Sequence, residues 1–200
     1  MNLLILYPSL FNVASKFNRK LARIIGDNVL TSVTYLHDDN NFIRDYFANT
    51  GSATVLHCVT KIDFDIITHA IVFDDGEEFL KEHKTLAEKS TPHRKIQVKL
   101  TRVINIGREI QYKGEKSTAG YENIGRGSYW GNPYSMFEDG DDRDEVIRKY
   151  KYDFDYEKFP HIDKNEVYKI AGKRLGCFCK PAVCHGDVLA DYLNSWDDGK

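Results

Sequence analysis

The alternation of short apolar runs with helix-period segments through the first hundred residues constrains this chain more than any other feature. Leu3-Leu4-Ile5-Leu6-Tyr7 is a brief apolar run broken by Pro8, which has the length and punctuation of a buried strand. From about Phe11 to Ile25, residues Val13, Phe17, Leu21 and Ile24 fall on one face of a helix that Gly26 ends. A strand around Val29 to Leu36 follows, then a helix around Asn41 to Phe47 closed by Gly51, and β-rich runs at Thr54 to Thr60 and His69 to Phe73. Glu77 onward enters a helix to about Lys89, Pro92 closes it, and Lys95 to Ile106 reads as one or two strands. The predicted fold is α/β: a Rossmann-like, mainly parallel sheet with flanking helices over residues 1–100, followed by a smaller α+β domain over 101–200.

In open α/β sheets ligands are met outside the carboxyl ends of the strands, which draws attention to His37-Asp38-Asp39 and Asp74-Asp75-Gly76. Helix-capping turns are the expected role of both, because the first turn, Tyr7-Pro8-Ser9, lacks a glycine phosphate fingerprint. With 42% hydrophobic and 29% charged residues the chain can bury a core, and a net charge of −2 gives no global field to attract long nucleic acid or an anionic membrane. Phosphate binding must then come from a local arrangement. No stretch is long and apolar enough to cross a bilayer. Four cysteines, three of them within eight residues, do not form a secreted disulfide framework, so a reducing cytoplasm is expected. Cys58, alone in a β-rich run, is expected in the core, and His57, His69, His83, His93 and His161 show no metal-like spacing.

From Gly107 to Tyr134 the chain becomes a glycine- and tyrosine-rich segment without periodicity, and a loop of that length is usually functional or disordered. Within it lies Gly125-Arg126-Gly127-Ser128-Tyr129-Trp130-Gly131-Asn132-Pro133. Gly125 and Gly127 let the backbone approach a ligand, Arg126 offers a planar fork for phosphate or carboxylate, and Tyr129 and Trp130 offer stacking faces. Asn132 can read the edge of a base or amide. An acidic stretch from Glu138 to Glu145 then leads into a helix from Arg143 to about Tyr152, its negative first turn suited to the helix dipole, and another helix is expected from about Asn165 to Ala171.

The second constellation is Leu175-Gly176-Cys177-Phe178-Cys179-Lys180-Pro181-Ala182-Val183-Cys184-His185-Gly186-Asp187. If Leu175 to Cys179 is a strand, its period of two puts Cys177 and Cys179 on one face. Helical spacing after Gly186 puts Cys184 and His185 at a helix N-terminus, where a thiolate is favoured. Three readings stand side by side. Cys177, Cys179 and Cys184 could hold zinc, although Cys184 and His185, being adjacent, are not expected to face one ion together. Cys184 could be a nucleophile or His185 an acid/base, with Asp187 orienting the imidazole. The thiols could equally be small buried hydrophobes.

Taken in order, Val103 to Ile106, the Gly125-Arg126-Gly127 loop with Trp130-Gly131-Asn132-Pro133, Asp142-Arg143-Asp144-Glu145-Val146 with Tyr150, and the Cys177 to Leu189 segment resemble an uncharacterised phage and bacterial family, domain of unknown function 4326. The resemblance covers the C-terminal half and supplies no reaction. It implies that the two constellations belong to one domain and one site, joined by Arg143. The N-terminal half more distantly resembles the Rossmann-like nucleotide-sensing superfamily of lysine-decarboxylase-like and DNA-processing proteins, through Ala70-Ile71-Val72-Phe73-Asp74-Asp75-Gly76. The glycine-rich phosphate loop of that superfamily is missing, which counts against nucleotide binding by this half. The expectation is an enzyme that hydrolyses a nucleotide, nucleoside or related phosphorylated metabolite or transfers a group from it, working in the host cytoplasm if phage-encoded. Rival expectations are a protein that sequesters a nucleotide signal and a zinc-stabilised interaction module. A homo-oligomer is compatible with each. No dinucleotide fingerprint supports hydride transfer.

Overall fold

The computed structural model describes residues 1–51, 54–137 and 140–199, and these divide into two compact units: Met1–Val98 with the tail from Trp196, and Lys99–Ser195. The tail therefore belongs with the first unit and not, as the expected division at 100/101 had it, with the second. Among the described residues no helix is long and apolar enough to cross a membrane.

The first unit holds five strands, β1 (Asn2–Leu6), β2 (Ser32–Tyr35), β3 (Val55–Cys58), β4 (His69–Asp74) and β5 (His93–Gln97). Three helices, α1 (Ala14–Ile25), α2 (Phe42–Asn49) and α3 (Leu80–Glu88), connect them. The sheet order is β3-β2-β1-β4-β5 and every ladder is parallel. This is the Rossmann-like α/β architecture, with the order reversing beside β1. Central strands of such sheets are covered on both faces, which is why β1 and β4 read as continuous apolar runs. Leu4, Leu6, Ala70, Val72 and Leu86 pack together in one cluster. Phe11, Phe17, Phe42 and Phe73 form an aromatic layer with Tyr7, the Phe17 and Phe73 rings stacking at 5.1 Å.

Cys58 corrects the expectation of a core thiol: it is exposed. Its strand, β3, is the edge of the sheet and pairs on one side only, so Val55, His57 and Cys58 face solvent although the run looks β-rich and apolar. Of the two acidic turns only the first caps its helix, because α3 begins at Leu80 behind Phe79 with no side-chain cap, and Asp75 closes the turn before it. The Asp38 carboxylate accepts from the amides of Ile43 and Arg44 at the start of α2, and Asp75 accepts from the amides of Glu77 and Glu78.

The second unit contains β6 (Arg102–Asn105), β7 (Tyr121–Asn123) and β8 (Arg174–Cys177) in the order β6-β8-β7, both ladders parallel, with helices α4 (Arg143–Asp155) and α5 (His185–Asn194). The Lys95 to Ile106 segment thus supplies two strands to two different sheets. The segment read as featureless loop contains β7, and the helix expected at Asn165 to Ala171 is a 3-10 stretch, Lys164–Ile170. Asp142 caps α4 by accepting from the Glu145 amide at 2.8 Å, while Glu138 and Asp139 of the acidic stretch lie outside the described residues. The core of this unit gathers Ile124, Trp130, Tyr150, Phe154, Leu175, Leu189 and Leu193 around Cys177 and Cys184.

Candidate functional site

Strand β8 ends at Cys177, one residue pair short of the predicted strand, so the period-of-two argument does not reach Cys179. Beyond Cys177 the chain turns, held by Asn105, whose side-chain amide donates to the carbonyls of Phe178 and Lys180. The turn brings Cys184 back as the N-cap of α5 with His185 as its first helical residue. Two sulfurs and an imidazole from the end of one strand and the start of one helix are thereby brought together. A ligand atom from each of Cys177, Cys184 and His185 lies within 4.8 Å of the others. This corrects the expectation that Cys184 and His185 could not share one ion. Capping puts Cys184 in extended backbone and His185 in the helix, so the successive side chains turn toward one point.

Burial decides much of the chemistry. Cys184 is 3% exposed and Cys177 4%, which corrects the picture of Cys184 as a partly exposed nucleophile. The two thiols act on each other: proximity to Cys184 draws the Cys177 pKa down, helped by the Cys179 amide, and proximity to Cys177 pushes that of Cys184 up, with burial adding to the rise. His185 donates through Nε2 to the Ile124 carbonyl at 2.8 Å, a tautomer required because a carbonyl can only accept. Burial lowers its pKa, so the ring is neutral at pH 7 with Nδ1 free of hydrogen-bond partners among the described residues. Asp187 does not orient the imidazole, contrary to expectation. Its carboxylate accepts from the Cys184 amide at 2.8 Å and from Lys180 Nζ at 2.6 Å, closing the first turn of α5.

A pocket of about 220 Å³ opens onto this corner, lined by Arg126, Arg143, Asn132 and Phe178 among others, with Cys177, Cys179, Cys184 and His185 at its base. Arg126 donates to the Tyr134 carbonyl and Arg143 to the Val183 carbonyl, each at 3.2 Å, and neither has a carboxylate partner among the described residues. Cys179 sits beside Arg143, which favours its thiolate, but burial and the neighbouring Cys177 weigh more and raise its pKa. The glycine loop contributes less than its composition implied. Trp130 is 3% exposed and buried in the core, with Tyr150 donating to its carbonyl at 3.0 Å, so it stacks on no ligand. Tyr129 is spent on the Asp163 amide and on edge contacts with Trp130 and His161. Asn132 lines the pocket, yet both ends of its amide are engaged, donating to the Val146 carbonyl and accepting from the Tyr134 amide. Gly125 lines the pocket and Gly127 does not. Gly131 serves the loop itself: a Cβ there would meet the Gly125 carbonyl oxygen at 2.7 Å.

Sequence reasoning missed Tyr134, Met136, Val146, Ile147 and Phe178 in the lining. Val146 and Ile147 could have been found from their place in the first turn and a half of α4, next to Arg143. In the first unit it also missed the company Asp74 keeps. This carboxylate is 2% exposed and receives Gln97 Nε2 at 2.8 Å, Lys95 Nζ at 3.0 Å and the Gly76 amide, with His83 Nε2 at 3.4 Å. Burial raises its pKa, but these donors together outweigh burial and hold it below the usual range. The strand-end position of Asp74 was the available signal.

Fold and site together define a two-unit protein: a Rossmann-like α/β unit, then a small parallel-sheet unit that sets a Cys/His corner beneath a pair of arginines. A minimal SLOG domain matches residues 1–104 and the domain of unknown function 4326 matches residues 93–195, and the chain belongs to these two families. An uncharacterized 12.4 kDa protein of the nrdA-td intergenic region of enterobacteria phage T4 is 37% identical over 97 residues, which span 48% of this chain and 80% of that protein. No solved structure matches.

Proposed function

We propose that the second unit binds a small phosphorylated metabolite of nucleotide type in the Arg126/Arg143 pocket and hydrolyses it or transfers a group from it. The observation that carries this reading is that two guanidinium groups without carboxylate partners among the described residues face the same pocket as the buried Cys177, Cys184 and His185. Each arginine is anchored by one bond to a backbone carbonyl, so its remaining N–H donors are already placed for an anion. The start of α5 at the pocket base adds partial positive charge. At about 220 Å³ the pocket is smaller than the ~300–1,000 Å³ of sites for drug-sized ligands, which suits a phosphorylated sugar or one end of a nucleotide. The superfamily that the first unit resembles supports a nucleotide-type ligand.

Titration calorimetry with the four common nucleoside monophosphates and the matching nucleosides tests this. The expected result is binding of at least one monophosphate and none of its nucleoside. Arg126→Ala and Arg143→Ala should each weaken binding about 10- to 150-fold, the worth of a charge-assisted hydrogen bond of ~1.5–3 kcal/mol. Equal affinity for nucleoside and monophosphate, or unchanged affinity in both variants, overturns the proposal. The burial of Cys184 favours a second reading, in which the pocket sequesters its ligand without turning it over. Chromatography of each monophosphate after prolonged incubation separates the two.

A further inference from the structure

We infer that Cys177, Cys184 and His185 form a zinc site with three protein ligands, through the two sulfurs and the imidazole Nδ1, whose fourth position opens into the Arg126/Arg143 pocket. The inference deepens the proposed function and rests on it for the identity of the ligand, not for the presence of the metal. Three observations carry it. First, the ligand atoms lie within 4.8 Å of one another, while tetrahedral zinc with Zn–S bonds of about 2.3 Å needs S···S separations of about 3.8 Å. The sulfur to nitrogen separations need about 3.5 Å, so the atoms must close by at most about 1.3 Å, within reach of side-chain rotation.

Second, the supporting hydrogen bonds are those of a metal site. The Nε2–H of His185 is committed to the Ile124 carbonyl, which fixes the ring and leaves Nδ1 as the nitrogen with a lone pair for a metal. Backbone amides point at both sulfurs, Cys179 N at Cys177 Sγ at 3.5 Å and, through the capping box of α5, Asp187 N at Cys184 Sγ. Third, the charges balance: two thiolates and a neutral imidazole around Zn²⁺ leave no net charge to bury.

The ligand set differs from the Cys177, Cys179, Cys184 trio that spacing alone offered. Cys179 lies after the strand has ended, only partly buried and beside Arg143, outside the group of converging atoms. The three converging residues all line the pocket, so an ion there has a face turned to the ligand and would act as a Lewis acid on it.

Elemental analysis and cobalt substitution on the full chain test this without any nucleotide present. Protein stripped by chelator and reloaded with zinc should hold one ion per chain, and the cobalt(II) form should show the intense visible absorption of a tetrahedral thiolate site. Azide should shift that absorption, because a position is open. C179S should keep the full complement of metal. C177S, C184S and H185Q should each weaken metal binding by more than the roughly 10- to 100-fold that loss of a supporting hydrogen bond costs. Circular dichroism shows which variants fold, and if the ligand variants do not, the wild-type cobalt spectrum, the azide response and C179S decide the matter. No stoichiometric metal, loss of metal in C179S, or a cobalt spectrum indifferent to azide would overturn the three-ligand open site. Failure of the arginine variants to alter monophosphate binding would instead remove the proposed ligand and leave the metal result standing.

Discussion

Replacing Gly176 by alanine should destabilise the second unit, and the neighbouring atoms set the size of the effect. Gly176 is in β8, the central strand of its sheet, and a Cβ built there meets the Tyr121 hydroxyl at 2.3 Å, its Cε2 at 2.6 Å and Ile106 Cγ2 at 2.6 Å. The Tyr121 ring is 0% exposed and stacks on Tyr112 at 4.5 Å, so it has little room to retreat. Overpacking of this kind costs about 1–3 kcal/mol, and removing glycine from a strand returns about 0.5–1 kcal/mol, for a net loss of roughly 1–2 kcal/mol. In a unit of this size that lowers Tm by roughly 5–15 °C. The buried Tyr121 hydroxyl has no hydrogen-bond partner among the described residues, so Tyr121→Phe alone should leave stability unchanged or raise it. In the Gly176→Ala background the same change removes the worst contact but not the ring carbon, and the pair should couple by about 0.5–1 kcal/mol. Trp130 fluorescence in a Trp196→Phe background reports the second unit alone, since Trp130 is in its core and Trp196 belongs to the first unit. A Gly176→Ala protein as stable as wild type, or strictly additive double-mutant melting, would refute the close-approach reasoning.

Asp187→Ala removes the carboxylate that accepts from the Cys184 amide and Lys180, and should cost about 1 kcal/mol, read as a fall of a few degrees in the same Trp130 melt; an unchanged Tm would deny the capping role. In the folded protein iodoacetamide should modify exposed Cys58 well ahead of Cys177 and Cys184, as followed by peptide mass spectrometry, and comparable rates at Cys184 would contradict its burial. Asp74 has a pKa lowered in the fold, so its contribution to stability is complete above the unfolded value of about 3.9 and is lost as pH falls through the folded one. The first unit should accordingly lose Tm below about pH 4 more steeply in wild type than in Asp74→Asn, and parallel acid profiles would remove Asp74 from the account.

What a linear pattern determines here is the content of elements and the class of fold. Burial on both faces writes itself as a continuous apolar run in β1 and β4, and one-sided burial as helical periodicity in α1, because each signal depends only on residues a few positions apart. The Cys/His segment and its companion loop were likewise legible as chemistry, and Arg126, Asn132 and Arg143 do line the pocket above Cys177, Cys184 and His185. Which atoms meet was not legible. The exposure of Cys58 follows from β3 being an edge, and edges are set by strand order, a relation among distant segments. Trp130 could as well have stacked on a ligand as filled a core, and only the packing of α4 against its loop, with Tyr150 bonded to its carbonyl, decides for the core. The substitution of His185 for Cys179 in the converging trio has the same origin. Spacing counts residues along a strand, but β8 stops at Cys177 and α5 begins at His185, so the turn between them chooses the side chains that point at one another.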